Sequence, residues 1–148
     1  MVGGVAVQAH GYLRATGDLD IVPRPTMVNL SRLAETLAEL DAELLHATRR
    51  INITDPQVMK APPLIPLTTR HGRLDVVNID HIAGAPPSFD ELRRRALLVD
   101  LDGIAVPVAG LDDLVRMKRA AGRPHDLLDI GALTRTDEEL REEADEAT

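Results

Sequence analysis

The chain has 148 residues and a formal net charge of −7, a length that supports one domain around a single buried core. Apolar residues make up 44% and charged residues 28%, which excludes a disordered chain, and the absence of cysteine excludes disulfides and thiolate zinc sites. Tyr12 and Phe89 are the sole aromatics, so a core must be built from Leu, Val, Ile and Ala, and a base-stacking platform is excluded.

In chain order, the first informative stretch is Gly3-Gly4 followed by Arg14-Ala-Thr16-Gly-Asp18-Leu-Asp20-Ile-Val22. The spacing predicts a short helix over 5–13, opened by the glycine pair, and a strand over 18–22 closed by Pro23 and Pro25. On a strand, residues two apart share a face, so Asp18 and Asp20 project side by side. Two short carboxylate stems held that way make a hard-oxygen site suited to Mg²⁺. Glycines without Cβ atoms let backbone N–H groups approach a phosphate, and a helix N-terminus adds partial positive charge. The pair Asp100-Leu-Asp102 has the same spacing, but Gly103 follows it and strand-like residues flank it, which predicts a turn.

This string of residues 3–22 resembles the nucleotidyltransferase-fold superfamily, whose signature is a glycine pair, a spacer and Asp-x-Asp. It is most similar to the AbiEii/MenT-like nucleotidyltransferase toxins. The resemblance implies an α/β (α+β) fold: a small mixed β-sheet with flanking helices and a C-terminal helical layer. In that fold a strand leads into the glycine pair, and only Met1-Val2 precede it here. The first strand is therefore expected to be missing, supplied by a partner, or lost to a start codon assigned too late, the last being preferred.

Leu30, Leu33, Leu37, Leu40 and Leu44 recur at spacings of three and four, an amphipathic helix packing on the sheet. The proline-rich stretch 54–66 reads as an irregular loop leading into an edge strand. Residues 64–69 and 73–79 flank Arg70-His71-Gly72 as a hairpin. The second arm carries Asp75 among apolar neighbours, and a carboxylate there needs a reason because burying it unpaired is costly. Capping the hairpin is one reason; a third carboxylate for the Asp18/Asp20 site, as the resemblance implies, is the other. Asp80 lies past the strand and is a weaker choice.

Ser88-Phe-Asp-Glu91 is a capping box starting a helix through Arg93-Arg94-Arg95, and 96–99 and 104–108 read as two short strands. The segment 111–130 reads as two helices with a Gly-Arg-Pro joint, burying Leu111, Leu114, Val115, Leu127 and Leu128 on one face. It resembles the helical motif that follows the catalytic sheet in the same toxins, with Lys118 the matching lysine, Arg123 the arginine, and Asp126 and Asp129 the acidic pair. A lysine beside a triphosphate offers a compact charge for its phosphates. Asp126 and Asp129, three apart on one helix face, orient Lys118 or Arg123, or belong to a plain helix–helix ion-pair network. Thr136-Asp-Glu-Glu139 reads as the cap of a last helix running into an acidic tail.

The expected organisation is a catalytic core over 1–110 with a helical segment over 111–148 packed on it in the same domain. The resemblance implies nucleotidyl transfer from a nucleoside triphosphate (NTP), with Asp18, Asp20 and Asp75 holding two Mg²⁺ ions. Lys118 joins them as a catalytic group, and Gly3, Gly4, Thr16, Arg123 and Asp126 bind the nucleotide. The acceptor it implies is the 3′ end of tRNA, within a toxin–antitoxin pair, in the cytoplasm. Small-molecule or protein acceptors, and a non-catalytic nucleotide- or partner-binding relative, stay open. The net charge argues against broad binding to nucleic acid, although Arg93–Arg95 and Arg116, Lys118, Arg119 and Arg123 form local basic clusters. Neither a signal-peptide pattern nor a membrane-spanning apolar run is found.

Overall fold

The computed structural model describes residues 1–45 and 52–146, and the side chains of 1–45 and 52–135. Its elements are α1 (Gly3–Ala9), β1 (Asp18–Ile21), α2 (Met27–Glu39), β2 (Glu43–Leu44), α3 (Pro56–Lys60), β3 (Leu64–Thr69), β4 (Gly72–Val77), α4 (Phe89–Arg94), β5 (Leu97–Leu101), β6 (Ile104–Val108), α5 (Leu111–Ala121) and α6 (Pro124–Glu146). The chain is thus a mixed α+β protein. A four-stranded sheet runs in the order β1-β4-β3-β2, with β1 parallel to β4 and the other pairs antiparallel. Strands β5 and β6 form a separate hairpin.

The period-2 alternation of β1 and β4 decides how the large sheet packs. Leu19, Ile21, Leu74 and Val76 share one face, and α2 covers it with Leu30, Ala34 and Leu37 around a core that includes Ile65, Leu67 and Met59. Thr26 caps α2 by accepting a hydrogen bond from the Asn29 backbone N–H at 3.4 Å. The helix ends at Glu39, and Leu44, read from sequence as its last apolar position, belongs to β2. A second core joins α1, α5 and α6 through Ala6, Val7, Leu114 and Leu133, with Val108 of β6.

The other differences from the sequence reading have local causes. The stretch 54–66 contains the one-turn helix α3, capped by Asp55 and begun by Pro56, as that pair favours. The strand that follows, β3, is interior rather than an edge; the Pro66 carbonyl accepts from Leu45 N–H at 2.9 Å where the pairing with β2 ends. Helix α1 stops at Ala9, leaving Leu13 exposed beyond it. Strand β4 stops at Val77, and Asp80 falls in a single 3₁₀ turn over Ile79–His81. Helix α6 runs unbroken past Thr136, so no helix is capped there. Leu127 and Leu128 are 58% and 71% exposed, not buried.

The two hairpins and the Ser88 cap hold as expected. Ser88 accepts from Glu91 N–H at 3.2 Å. Asp102 and Gly103 both take positive φ at the β5–β6 turn, and Asp100 accepts from Gly103 N–H at 2.8 Å, so that acidic pair shapes a turn. Gly122 ends α5 in the left-handed conformation, followed by Pro124 at the start of α6. The first two residues tie the hairpin to the sheet: Val2 N–H donates to Asp20 O at 3.0 Å, Ala109 N–H to Met1 O at 2.8 Å, and the Met1 ammonium to Pro107 O at 2.8 Å. Among the described residues no helix is long and apolar enough to cross a membrane.

Candidate functional site

The face of the large sheet opposite α2 carries the chemistry. Parallel pairing sets Asp20 beside Asp75 and Asp18 beside Arg73, so Asp18, Asp20, Arg73 and Asp75 share that face. Adjacent strands lie about 4.8 Å apart, and residues two apart on one strand about 7 Å, which brings the three predicted carboxylates into one cluster. Burial first, then repulsion from Asp18 and Asp75, pushes the Asp20 carboxyl up to about 6; Arg123 and Lys118 offset only part of this. Burial and Asp18 likewise raise Asp75, with Arg73 opposing. Three like charges in a half-buried setting lack sufficient counter-charge from the protein. All-oxygen donors of this kind suit a hard divalent cation such as Mg²⁺, so the residues fit the metal expected from the sequence. Among the described residues no three acidic or histidine side chains are already gathered in ligating geometry.

The glycine pair is required here by close packing. Gly3 adopts φ +68, and a Cβ on it would collide with the Asp20 carboxylate. A Cβ on Gly4 would strike the Thr16 hydroxyl and come within 3.0 Å of Arg14 Nη2. The missing side chains thus make room for Asp20 and Thr16. Helix α1 has only seven residues, so positive charge at this end comes from neighbouring cations rather than from its dipole. The Thr16 hydroxyl donates to the Asp18 carbonyl at 3.3 Å.

Those cations belong to a continuous network. Arg14 Nη2 donates to Asp129 at 3.1 Å, with Nε 2.8 Å from the other carboxylate oxygen. Lys118 Nζ lies 2.7 Å from Asp129 and 3.0 Å from Asp126, and Arg123 Nε donates to Asp126 at 2.7 Å. Asp126, Asp129 and Lys118 are 0%, 1% and 5% exposed. Burial pushes Asp126 up, but hydrogen bonds from Arg123 and Lys118 outweigh it and hold the carboxyl below its ordinary value. The hydrogen bond to Asp126 raises Arg123 against burial, and Asp20 adds to the effect. Lys118 is therefore the buried link between two aspartates, while Arg14 and Arg123 are the more open cations.

The two basic clusters read from the sequence are largely neutralised. Arg95 and Arg116 both pair with the buried Asp113, Arg94 and Arg95 approach Glu91, and Lys118 is enclosed. Two features went unread in the sequence. Arg14–Asp129 joins distant segments and leaves no local signal. Arg73 was legible, because alternation in Arg73-Leu74-Asp75 puts it on the face of Asp75.

The fold and site define a mixed α+β protein with an acidic cluster set between a glycine-opened helix and a buried lysine–aspartate network. Compared with protein-family models and with curated proteins, the chain matches none.

Proposed function

We propose that the protein is a Mg²⁺-dependent nucleotidyltransferase of the nucleotidyltransferase fold. The observation that carries this reading is the placing of Asp18, Asp20 and Asp75 on one sheet face, with Asp20 directly against Gly3. Those three carboxylates would hold the metal, which when bound would neutralise charge on the attacking and leaving oxygens.

The residues divide the remaining work. Gly3, Gly4 and Thr16 border the triphosphate, and Arg14 and Arg123 balance its charge from the α6 side. Lys118 and Asp126 hold Arg123 in place; Lys118 and Asp129 hold Arg14. The acceptor hydroxyl oxygen forms a bond to the α-phosphorus as the bond from that phosphorus to the bridging oxygen breaks. The hydroxyl proton passes to Asp75, the carboxylate contributed by the neighbouring strand, and pyrophosphate leaves. The acceptor in this reading is the 3′ end of tRNA, the setting is the bacterial cytoplasm, and a cognate antitoxin is the protein partner.

One observation favours a non-catalytic relative. Lys118 is enclosed and doubly paired, so it does not present a free charge to a ligand. Label transfer from each α-³²P-labelled NTP to total tRNA, with Mg²⁺, separates the readings. Transfer that vanishes in the Asp18→Asn/Asp20→Asn protein supports the enzyme; transfer that persists in it refutes the site. Growth arrest on expression, relieved by a neighbouring gene product, tests the toxin role.

A further inference from the structure

Among the described residues Arg73 is the one cationic side chain on the four strands of this sheet, and the reaction scheme leaves it unused. It lies on central strand β4, exposed, across from Asp18 and two residues before Asp75 on the same face. Among the described residues it makes no ion pair or side-chain hydrogen bond. Its neighbour on β3 is Thr68, also exposed, and the exposed Glu43 of β2 lies beyond that, so the face stays open at Arg73 and Thr68 between the Asp18/Asp20/Asp75 cluster and Glu43.

The carboxylate cluster separates two kinds of positive charge. Gly3 packs on Asp20 and Gly4 on Arg14, whose ion-pair network runs on through Asp129 and Lys118 to Asp126 and Arg123; Arg73 stands beside Asp18, diagonally across the two strands from Asp20. In phosphoryl and nucleotidyl transfer the attacking and leaving oxygens stand roughly in line on opposite sides of phosphorus. If pyrophosphate leaves toward Arg123, the acceptor arrives from the side of Arg73. We propose that Arg73 is the acceptor-side phosphate contact, and that the open face of β4 and β3 receives a polynucleotide 3′ end through its terminal phosphodiester.

This rests on the nucleotidyltransferase reading for its direction of approach. The roughly 7 Å between alternate residues of a strand is of the order of one nucleotide step, so a phosphate held by the long Arg73 side chain leaves the adjoining 3′ hydroxyl within reach of Asp75. A guanidinium holds phosphate oxygens in a two-pronged contact. An open face suits a chain laid across it better than a small ligand, which gains affinity from enclosure.

The test reads binding without catalysis. A short 5′-fluorescein oligoribonucleotide with a free 3′ hydroxyl is titrated in EDTA at several salt concentrations, by anisotropy. Expected for Arg73→Gln is a Kd raised about tenfold and a salt slope reduced by about 0.7 to 1, as loss of one phosphate contact requires. Arg73→Lys restores most of the salt slope, and Arg32→Gln, on the α2 side, behaves as wild type. In the transfer assay Arg73→Gln raises the acceptor KM and leaves the NTP KM unchanged. Wild-type Kd and slope in Arg73→Gln, or no binding of the oligonucleotide by the wild-type protein, overturns the proposal. Transfer to a small hydroxyl compound that ignores Arg73 overturns it while the enzyme reading stands. Arg73-dependent binding without transfer from any NTP upholds the contact and sinks the enzyme reading.

Discussion

Asp20→Asn removes one negative charge from the middle of the carboxylate cluster, and the structure sets both the sign and the size of the effect. Folding moves the Asp20 carboxyl from 3.8 to about 6. Between those values the folded protein binds the proton that the unfolded chain releases. Stability therefore falls as pH rises from about 4 to about 6, and the deficit persists at neutral pH. A shift of about two units corresponds to roughly 3 kcal/mol; partial solvent access to Asp20 reduces this to about 1–2 kcal/mol. Asparagine is neutral and nearly the same shape, so at pH 7 the metal-free variant is expected to be more stable than wild type by that amount. Urea denaturation followed by circular dichroism, in EDTA at pH 7 and pH 4, measures it. The gain should be present at pH 7 and shrink toward zero at pH 4. If the cluster is the proposed Mg²⁺ site, millimolar Mg²⁺ should stabilise the wild type more than the variant, which lacks one of its three carboxylates. A variant less stable than wild type at pH 7, or a difference equal at both pH values, refutes the electrostatic account.

Three further outcomes follow from the packing. Gly3→Ala forces a side chain into a left-handed conformation and against the Asp20 carboxylate, so it should cost about 1–3 kcal/mol by the same denaturation assay and weaken Mg²⁺ binding measured by calorimetry. Lys118→Met leaves two buried aspartates each short of a partner and should cost about 3 kcal/mol at pH 7; a cost below about 1 kcal/mol would show that Arg14 and Arg123 suffice. Leu37→Ala, in the α2 core, should cost about 2–5 kcal/mol, whereas Leu128→Ala should stay within about 0.5 kcal/mol, since Leu128 is 71% exposed.

The face of the sheet was legible because alternation is a local property. Asp18 and Asp20 against Leu19 and Ile21, and Asp75 against Leu74 and Val76, already separate a polar from a packed side before any pairing is known. What alternation cannot supply is register between distant strands. That Asp20 stands beside Asp75 depends on β1 and β4 pairing in parallel across four intervening elements, α2, β2, α3 and β3, and only the three-dimensional arrangement supplies it. The glycine pair was legible as an unusual backbone, but its cause lay elsewhere. The atoms that exclude a Cβ belong to Asp20 and Thr16, far along the chain from Gly3 and Gly4.

The failure at α6 shows how the site itself distorts the sequence signal. Reading apolar residues as core-facing put Leu127 and Leu128 inside. In the structure the buried stripe is Asp126, Asp129, Ala132 and Leu133, at helical spacing, and the two leucines fall on the outer side. Charged residues occupy core-facing positions because Lys118, Arg14 and Arg123 meet them there, so their burial is compensated pair by pair. Burying Lys118, Asp126 and Asp129, linked to the more open Arg14 and Arg123, gains little stability over an apolar core of the same shape. Its physical consequence is positional: it fixes where two guanidinium groups sit relative to Asp20. Such a constraint suits a ligand that carries several negative charges in fixed positions. An apolar α5–α6 seam would hold the helices together equally well and leave Arg14 and Arg123 free to swing.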